Sequence, residues 1–221
     1  MKKIIVSMFT LALMVSPAFA ATWNAADRVA TVGKTIVTKN SLPAKTTFKV
    51  VNGTANNANT NLTNVIQISS TDLTYAGNDS EVAAVIANEM GHIINGTYSK
   101  NQMRNAAKNA ITSKLSSENI ISTAANSEFL ANKTNLSDEK AADITGVDLL
   151  AKTGYNPLAM IVVITKQPGS TLEALQGRPA NTERAMNVYD YMTYNSPSRV
   201  KTGYGCQEYR AFLTYANPIV K

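Results

Sequence analysis

The strongest constraint in the chain is the stretch Ser80-Glu81-Val82-Ala83-Ala84-Val85-Ile86-Ala87-Asn88-Glu89-Met90-Gly91-His92-Ile93-Ile94-Asn95. Asn78 is an N-cap residue and Glu81 follows three positions later, the spacing of a capping box. From Val82 to Ile94 nearly every helical face is apolar, which predicts a helix buried inside a domain rather than lying on its surface. Asn95-Gly96 closes it as a C-cap. Within that apolar body stand Glu89 and His92. A carboxylate is seldom buried unless it is paired or binds a metal, so this helix requires partners for both from elsewhere in the chain.

The rest of the sequence fits a single globular domain behind an export signal. Of 221 residues, 44% are apolar and 16% charged, ordinary values for a folded domain. Residues 1–20 read as a signal peptide, with Lys2 and Lys3 before an apolar run from Ile4 to Val15. Pro17-Ala18-Phe19-Ala20 then offers a cleavage site. That run is too short for a transmembrane helix, and no cysteine follows the site to carry a lipid anchor. The mature chain, 21–221, is expected to be exported, periplasmic or secreted, with no stable membrane anchor. Without Lys2 and Lys3, 19 basic residues stand against 15 acidic ones, a formal charge of +4. They are scattered rather than clustered, so nucleic acid is not an expected partner. Cys206 is the sole cysteine, which excludes an internal disulfide; the thiol could pair with a partner, but the default expectation is that it stays unpaired.

Periodicity predicts a helix over 24–39, strands over 46–51 and 64–69, and a polar Asn- and Thr-rich loop, 54–64, between them. The Asn-x-Ser/Thr triplets of this region carry no functional weight in so Asn-rich a chain. Helices are expected over 99–115 and 117–131. Ser137-Asp138-Glu139 is expected to open another, ending at Gly154. Pro157 begins the next helix, through Lys166. Asn181 is expected to cap a helix from Thr182 to about Tyr194. The aromatic tail suggests a short strand over 209–215. The fold class is therefore α+β, mostly helical, with a small sheet packed on the central helix.

The chemistry sits in the central helix. In His-Glu-x-x-His helices two imidazoles four residues apart face one zinc ion, and the glutamate after the first acts as general base. The corresponding positions here are Asn88, Glu89 and His92. A third ligand must come from elsewhere, and Glu139 is the candidate. Asp143, four residues on and on the same helical face, suits a carboxylate that orients a ligand.

Taken together, these motifs resemble the M48 family of metallopeptidases, the Ste24-like gluzincins, and especially its small exported bacterial members. The family's Glu-x-Ala-x-Val-x-Ala-His-Glu-x-Gly-His is matched by Glu81 to His92 except at Asn88. Its Glu-x-x-x-Asp with a following Gly is matched by Glu139, Asp143 and Gly146. Gly154-Tyr155-Asn156-Pro157 also resembles the family, as does Arg178-Pro179-Ala180-Asn181-Thr182-Glu183-Arg184, where the usual pattern is His-Pro-x-x-x-x-Arg. The resemblance spans about residues 25–194. It implies a zincin-like domain that hydrolyses peptide bonds by zinc-activated water. Glu89 would be the base, His92 and Glu139 metal ligands, and Asn88 a degenerate third ligand. In such enzymes the substrate typically pairs with a sheet edge beside the site.

Two departures shape the expectation. The first ligand histidine is Asn88 and the late family histidine is Arg178, while His92 is the only histidine in the chain. Asn offers a neutral, hard carbonyl oxygen where zinc favours imidazole or thiolate, so zinc occupancy is expected to be weak or absent. Arg178 is either a solvated surface charge or a partner for Glu89 or Glu139 that replaces the metal's positive charge. Asp143 is expected to bond the Asn88 amide in place of a histidine. Arg184, like Arg104, could anchor a carboxylate, but is read by default as an exposed helix charge. Three functions stay open: a zinc metalloendopeptidase acting on peptides or proteins, a pseudoprotease that binds them uncleaved, and a purely structural exported domain.

Overall fold

A computed structural model describes residues 24–53, 55–57, 60–97, 120–170, 173, 175 and 180–217, and in the helix Ile120–Ala151 the side chains from 136 onward. Among the expected features, the signal peptide 1–20, the helix over 99–115 and the site residue Arg178 lie outside the described residues.

Helix α1, Ala25–Lys39, is capped by the Asn24 side chain, which accepts from the Ala26 and Asp27 N–H groups. It buries Val29, Val32 and Ile36. Strands β1, Thr47–Val51, and β2, Val65–Ser69, form a two-stranded parallel sheet with Lys49 opposite Gln67. Parallel pairing requires a crossover of about a dozen residues, which the polar run 52–64 supplies. A single turn, α2, Ser70–Leu73, leads to α3, Asp79–Ile94.

Helix α3 lies at the centre of the core. Asn78 caps it through its side-chain oxygen, and the Glu81 carboxylate accepts from the Gly77 N–H at 2.7 Å and from Lys166 Nζ at 2.8 Å. Val82, Ile86 and Met90 are fully buried, each contributing on the order of 1.5–3 kcal/mol by leaving water. Gly96, just past the C-cap Asn95, takes φ +63°, a conformation that glycine adopts without strain.

Three local expectations are corrected. The helix expected to open at Ser137 is continuous with the segment before it, forming α4, Ile120–Ala151. No Gly or Pro lies between Ala131 and Ser137 to interrupt it, and a residue able to cap does not by itself end a helix. Helix α5, Ala159–Lys166, follows as expected, then α6, Thr182–Asn195. Asn181 does not cap α6. It sits at φ +52° with its Nδ2 directed to the Ile164, Gln167 and Pro168 carbonyls. The Glu173 carboxylate accepts the Asn181 and Thr182 N–H groups instead. After α7, Pro197–Thr202, the expected tail strand is a helix, α8, Gln207–Ala216. Tyr209 and Phe212, three residues apart, are both buried, and Phe212 meets Tyr189 edge to face at 5.6 Å. That is helical rather than alternating spacing. The architecture is α+β, mostly helical, with a small sheet against α3, as expected. No helix among the described residues is long and apolar enough to cross a membrane.

Candidate active site

The site forms where α3 and α4 cross with their backbones nearly touching. A Cβ on Gly91 would stand 2.3 Å from the Ala142 carbonyl oxygen, and one on Gly146 3.0 Å from the Ala87 carbonyl carbon. Neither glycine has room for a side chain, so each helix presents a notch to the other's main chain. This approach brings Asn88, Glu89 and His92 of α3 against Glu139 and Asp143 of α4. In each helix the four-residue spacing keeps the paired positions on one face.

His92 Nε2 and Glu139 Oε1 lie 3.2 Å apart, with the imidazole buried and the carboxylate about one-third exposed. Burial alone pushes the imidazole down. The hydrogen bond and charge of Glu139, with the charges of Glu89 and Asp143, outweigh it and leave His92 above its ordinary value. Burial likewise pushes Glu139 up. The His92 bond and the Arg184 charge reverse this and hold its carboxyl below the ordinary carboxylate range. The two groups form an ion pair.

Asp143 is fully buried and accepts the Asn88 Nδ2–H at 2.8 Å. Its other partner is Arg184 of α6. Nε donates to Oδ2 at 2.8 Å and Nη2 to Oδ1 at 2.7 Å, while Nη2 also lies 2.9 Å from Glu139 Oε2. Burial drives the Asp143 carboxyl upward against the pull of these bonds. Burial pushes Arg184 down, but the Asp143 bond and the charges of Asp143 and Glu139 outweigh it and leave the guanidinium above its ordinary value. The forked geometry is that of an ionised carboxylate and a guanidinium. Arg184, expected as an exposed charge, is 11% exposed and joins both α4 carboxylates.

Glu89 is half-buried, and its Oε2 accepts from Asn57 Nδ2 at 2.9 Å. Asn57 comes from the crossover that the sequence reads only as a polar loop. A cleft of about 750 Å³ opens over these groups, lined also by Asp72, Tyr75 and Met160. Burial raises the Asp72 carboxyl, and the nearby Glu139 charge adds to the effect.

Two ligands of a tetrahedral zinc ion stand roughly 3.3 Å apart, so the His92–Glu139 separation suits a shared ion. The remaining donor set does not. Asn88 directs its amide N–H at Asp143, and the second Glu139 oxygen is bonded to Arg184. Among the described residues no group of three or more His, Cys, Asp or Glu is placed to hold a metal. The residues present therefore do not fit a zinc site.

Sequence reasoning undervalued Arg184 and Asn57. The first had a signal, the closing arginine of the Arg178-to-Arg184 pattern. The second had none, because one asparagine in an Asn-rich run looks like its neighbours.

Compared with known proteins, residues 24–192 match the sequence profile described as Peptidase family M48. No curated protein matches the chain, and no solved structure does.

Proposed function

From the premise that the chain belongs to peptidase family M48, a family of metallopeptidases, we propose that it is an exported polypeptide-binding protein whose peptidase centre no longer hydrolyses. The observation that carries this reading is the Asn88–Asp143 bond. Where the family's pattern has a histidine, a carboxamide is held by the carboxylate that would orient an imidazole, and Arg184 neutralises both α4 acids. The cleft keeps the means to receive a chain: polar groups along its floor, and a link through Asn57 from Glu89 in its lining to Gln67 of the short parallel sheet. Extended peptides bind such places by pairing main chain with main chain. Neither zinc nor nucleic acid is part of this reading.

The experiment uses β-casein, an unfolded protein, as the probe. Saturable binding of fluorescein-labelled β-casein without new fragments on gels, with or without added zinc, supports the proposal. Cleavage that stops on chelation and in Glu89→Gln overturns it. A second reading, residual hydrolysis, rests on one observation: the 3.2 Å His92–Glu139 spacing, with Glu89 held in place beside it. The same assay decides between them.

A further inference from the structure

We infer that Asn57 is an internal plug, standing in for a bound peptide strand at the outer edge of β2; the inference rests on the polypeptide-binding reading above. The Asn57 carboxamide accepts the Gln67 N–H at 2.9 Å and donates to the Gln67 carbonyl oxygen at 2.9 Å. A side-chain amide has the same donor and acceptor as a peptide group, so this pair reproduces one rung of a β ladder. In a parallel sheet the N–H and C=O of one residue point to the same side. Gln67 thus directs both groups away from β1, toward the edge where a further strand would add. The second Asn57 N–H reaches Glu89 Oε2, so every polar atom of the carboxamide is used. Asn57 is 1% exposed. The backbone N–H of Asn56 adds a contact to Gln67 Oε1 at 3.2 Å.

Three consequences follow from this placement. The outer edge of β2 is closed at Gln67 in the resting protein, which guards that position against pairing with other chains. An incoming peptide must displace Asn57 before it can pair with Gln67. Displacement also releases the contact to Glu89, so occupancy of the β2 edge is coupled to the group beside the degenerate centre. Residues 55–57 therefore act as a self-inhibitory segment that sets how readily polypeptide enters.

The test compares wild type with Asn57→Ala, using Asn57→Leu where the alanine variant fails to fold. Leucine is close to asparagine in size and shape but can neither accept the Gln67 N–H nor donate to the Gln67 carbonyl. Two readouts are needed: fluorescence anisotropy with labelled β-casein, and amide hydrogen exchange at Gln67. A peptide that no longer has to replace two hydrogen bonds should bind roughly 5- to 100-fold tighter. The Gln67 amide should exchange slowly in wild type, quickly in the free variant, and slowly again in the variant with saturating casein. Equal affinity for both proteins, or Gln67 protection unchanged by the substitution, overturns the plug while leaving polypeptide binding intact. Absence of binding to both overturns the polypeptide reading, and the inhibitory role with it.

Discussion

Replacing Arg184 with methionine isolates the charge that holds the site together. Methionine keeps much of the aliphatic stem but removes the two bonds to Asp143, at 2.8 and 2.7 Å, and the 2.9 Å contact to Glu139. Asp143 has no exposed side-chain surface, so its carboxylate would remain buried with only the Asn88 N–H. Removing one partner of a buried ion pair costs about 3–5 kcal/mol. That is a large part of the roughly 5–15 kcal/mol that stabilises a typical domain. The loss must also depend on pH in a definite direction. Asp143 already lies above its ordinary value of 3.8, and loss of Arg184 raises it further. Between 3.8 and the raised value the folded state holds a proton that the unfolded chain has released, so stability falls as pH rises. The slope approaches about 1.4 kcal/mol per pH unit. Urea unfolding at acid and neutral pH should therefore show the deficit of Arg184→Met shrinking by about 1 kcal/mol or more on acidification. Asp143→Asn in the same background should recover much of it. A deficit under about 1 kcal/mol, or one equal at both pH values, would refute the buried pair and return Arg184 to an ordinary surface charge.

The helix crossing makes a second prediction. Gly91→Ala places a Cβ 2.3 Å from a backbone oxygen, so α3 and α4 must separate by about 1 Å to reach ordinary contact. Overpacking of this kind costs about 1–3 kcal/mol, read as a lower urea midpoint at unchanged slope; an unchanged midpoint contradicts the close approach. The single histidine gives a third. In protein without a histidine tag, the one imidazole seen by NMR titrates above its ordinary value of 6.5, and Glu139→Gln lowers it. By linkage, the raised His92 stabilises the fold below 6.5 and loses this as pH rises through its folded value. The lowered Glu139 stabilises above 4.5 and loses this as pH falls through its own. The stability difference between wild type and Glu139→Gln should be greatest between these limits, and an imidazole titrating at or below 6.5 contradicts the pair.

What the sequence discloses depends on how local the deciding interaction is. Helix α3 was legible because its cap, its apolar body and its closing Asn95-Gly96 all lie within one stretch. The strands were legible from their β-branched alternation. The tail was misread because aromatic residues favour strands by propensity, while the burial of Tyr209 and Phe212 three residues apart depends on α5 packing beside them and on the Tyr189 ring of α6. Asn181 looked like a cap, but the Glu173 carboxylate, eight residues before it, accepts the Asn181 and Thr182 N–H groups at the start of α6. The candidate site divides the same way. Glu89, His92, Glu139 and Asp143 announce themselves by spacing on two helices. Arg184 and Asn57 do not, because one reaches the site from a third helix and the other through a crossover whose composition conceals it.

The central claim is that the substitution at residue 88 leaves a peptidase scaffold without its metal, and zinc stoichiometry tests it most directly. Native mass spectrometry of wild type and Asn88→His, each exposed to zinc and then exchanged into metal-free buffer, gives the number of ions per chain. The account predicts a metal-free wild type and one zinc per chain in Asn88→His, where a restored imidazole joins His92 and Glu139 with Asp143 to orient it. One zinc retained per wild-type chain would contradict it.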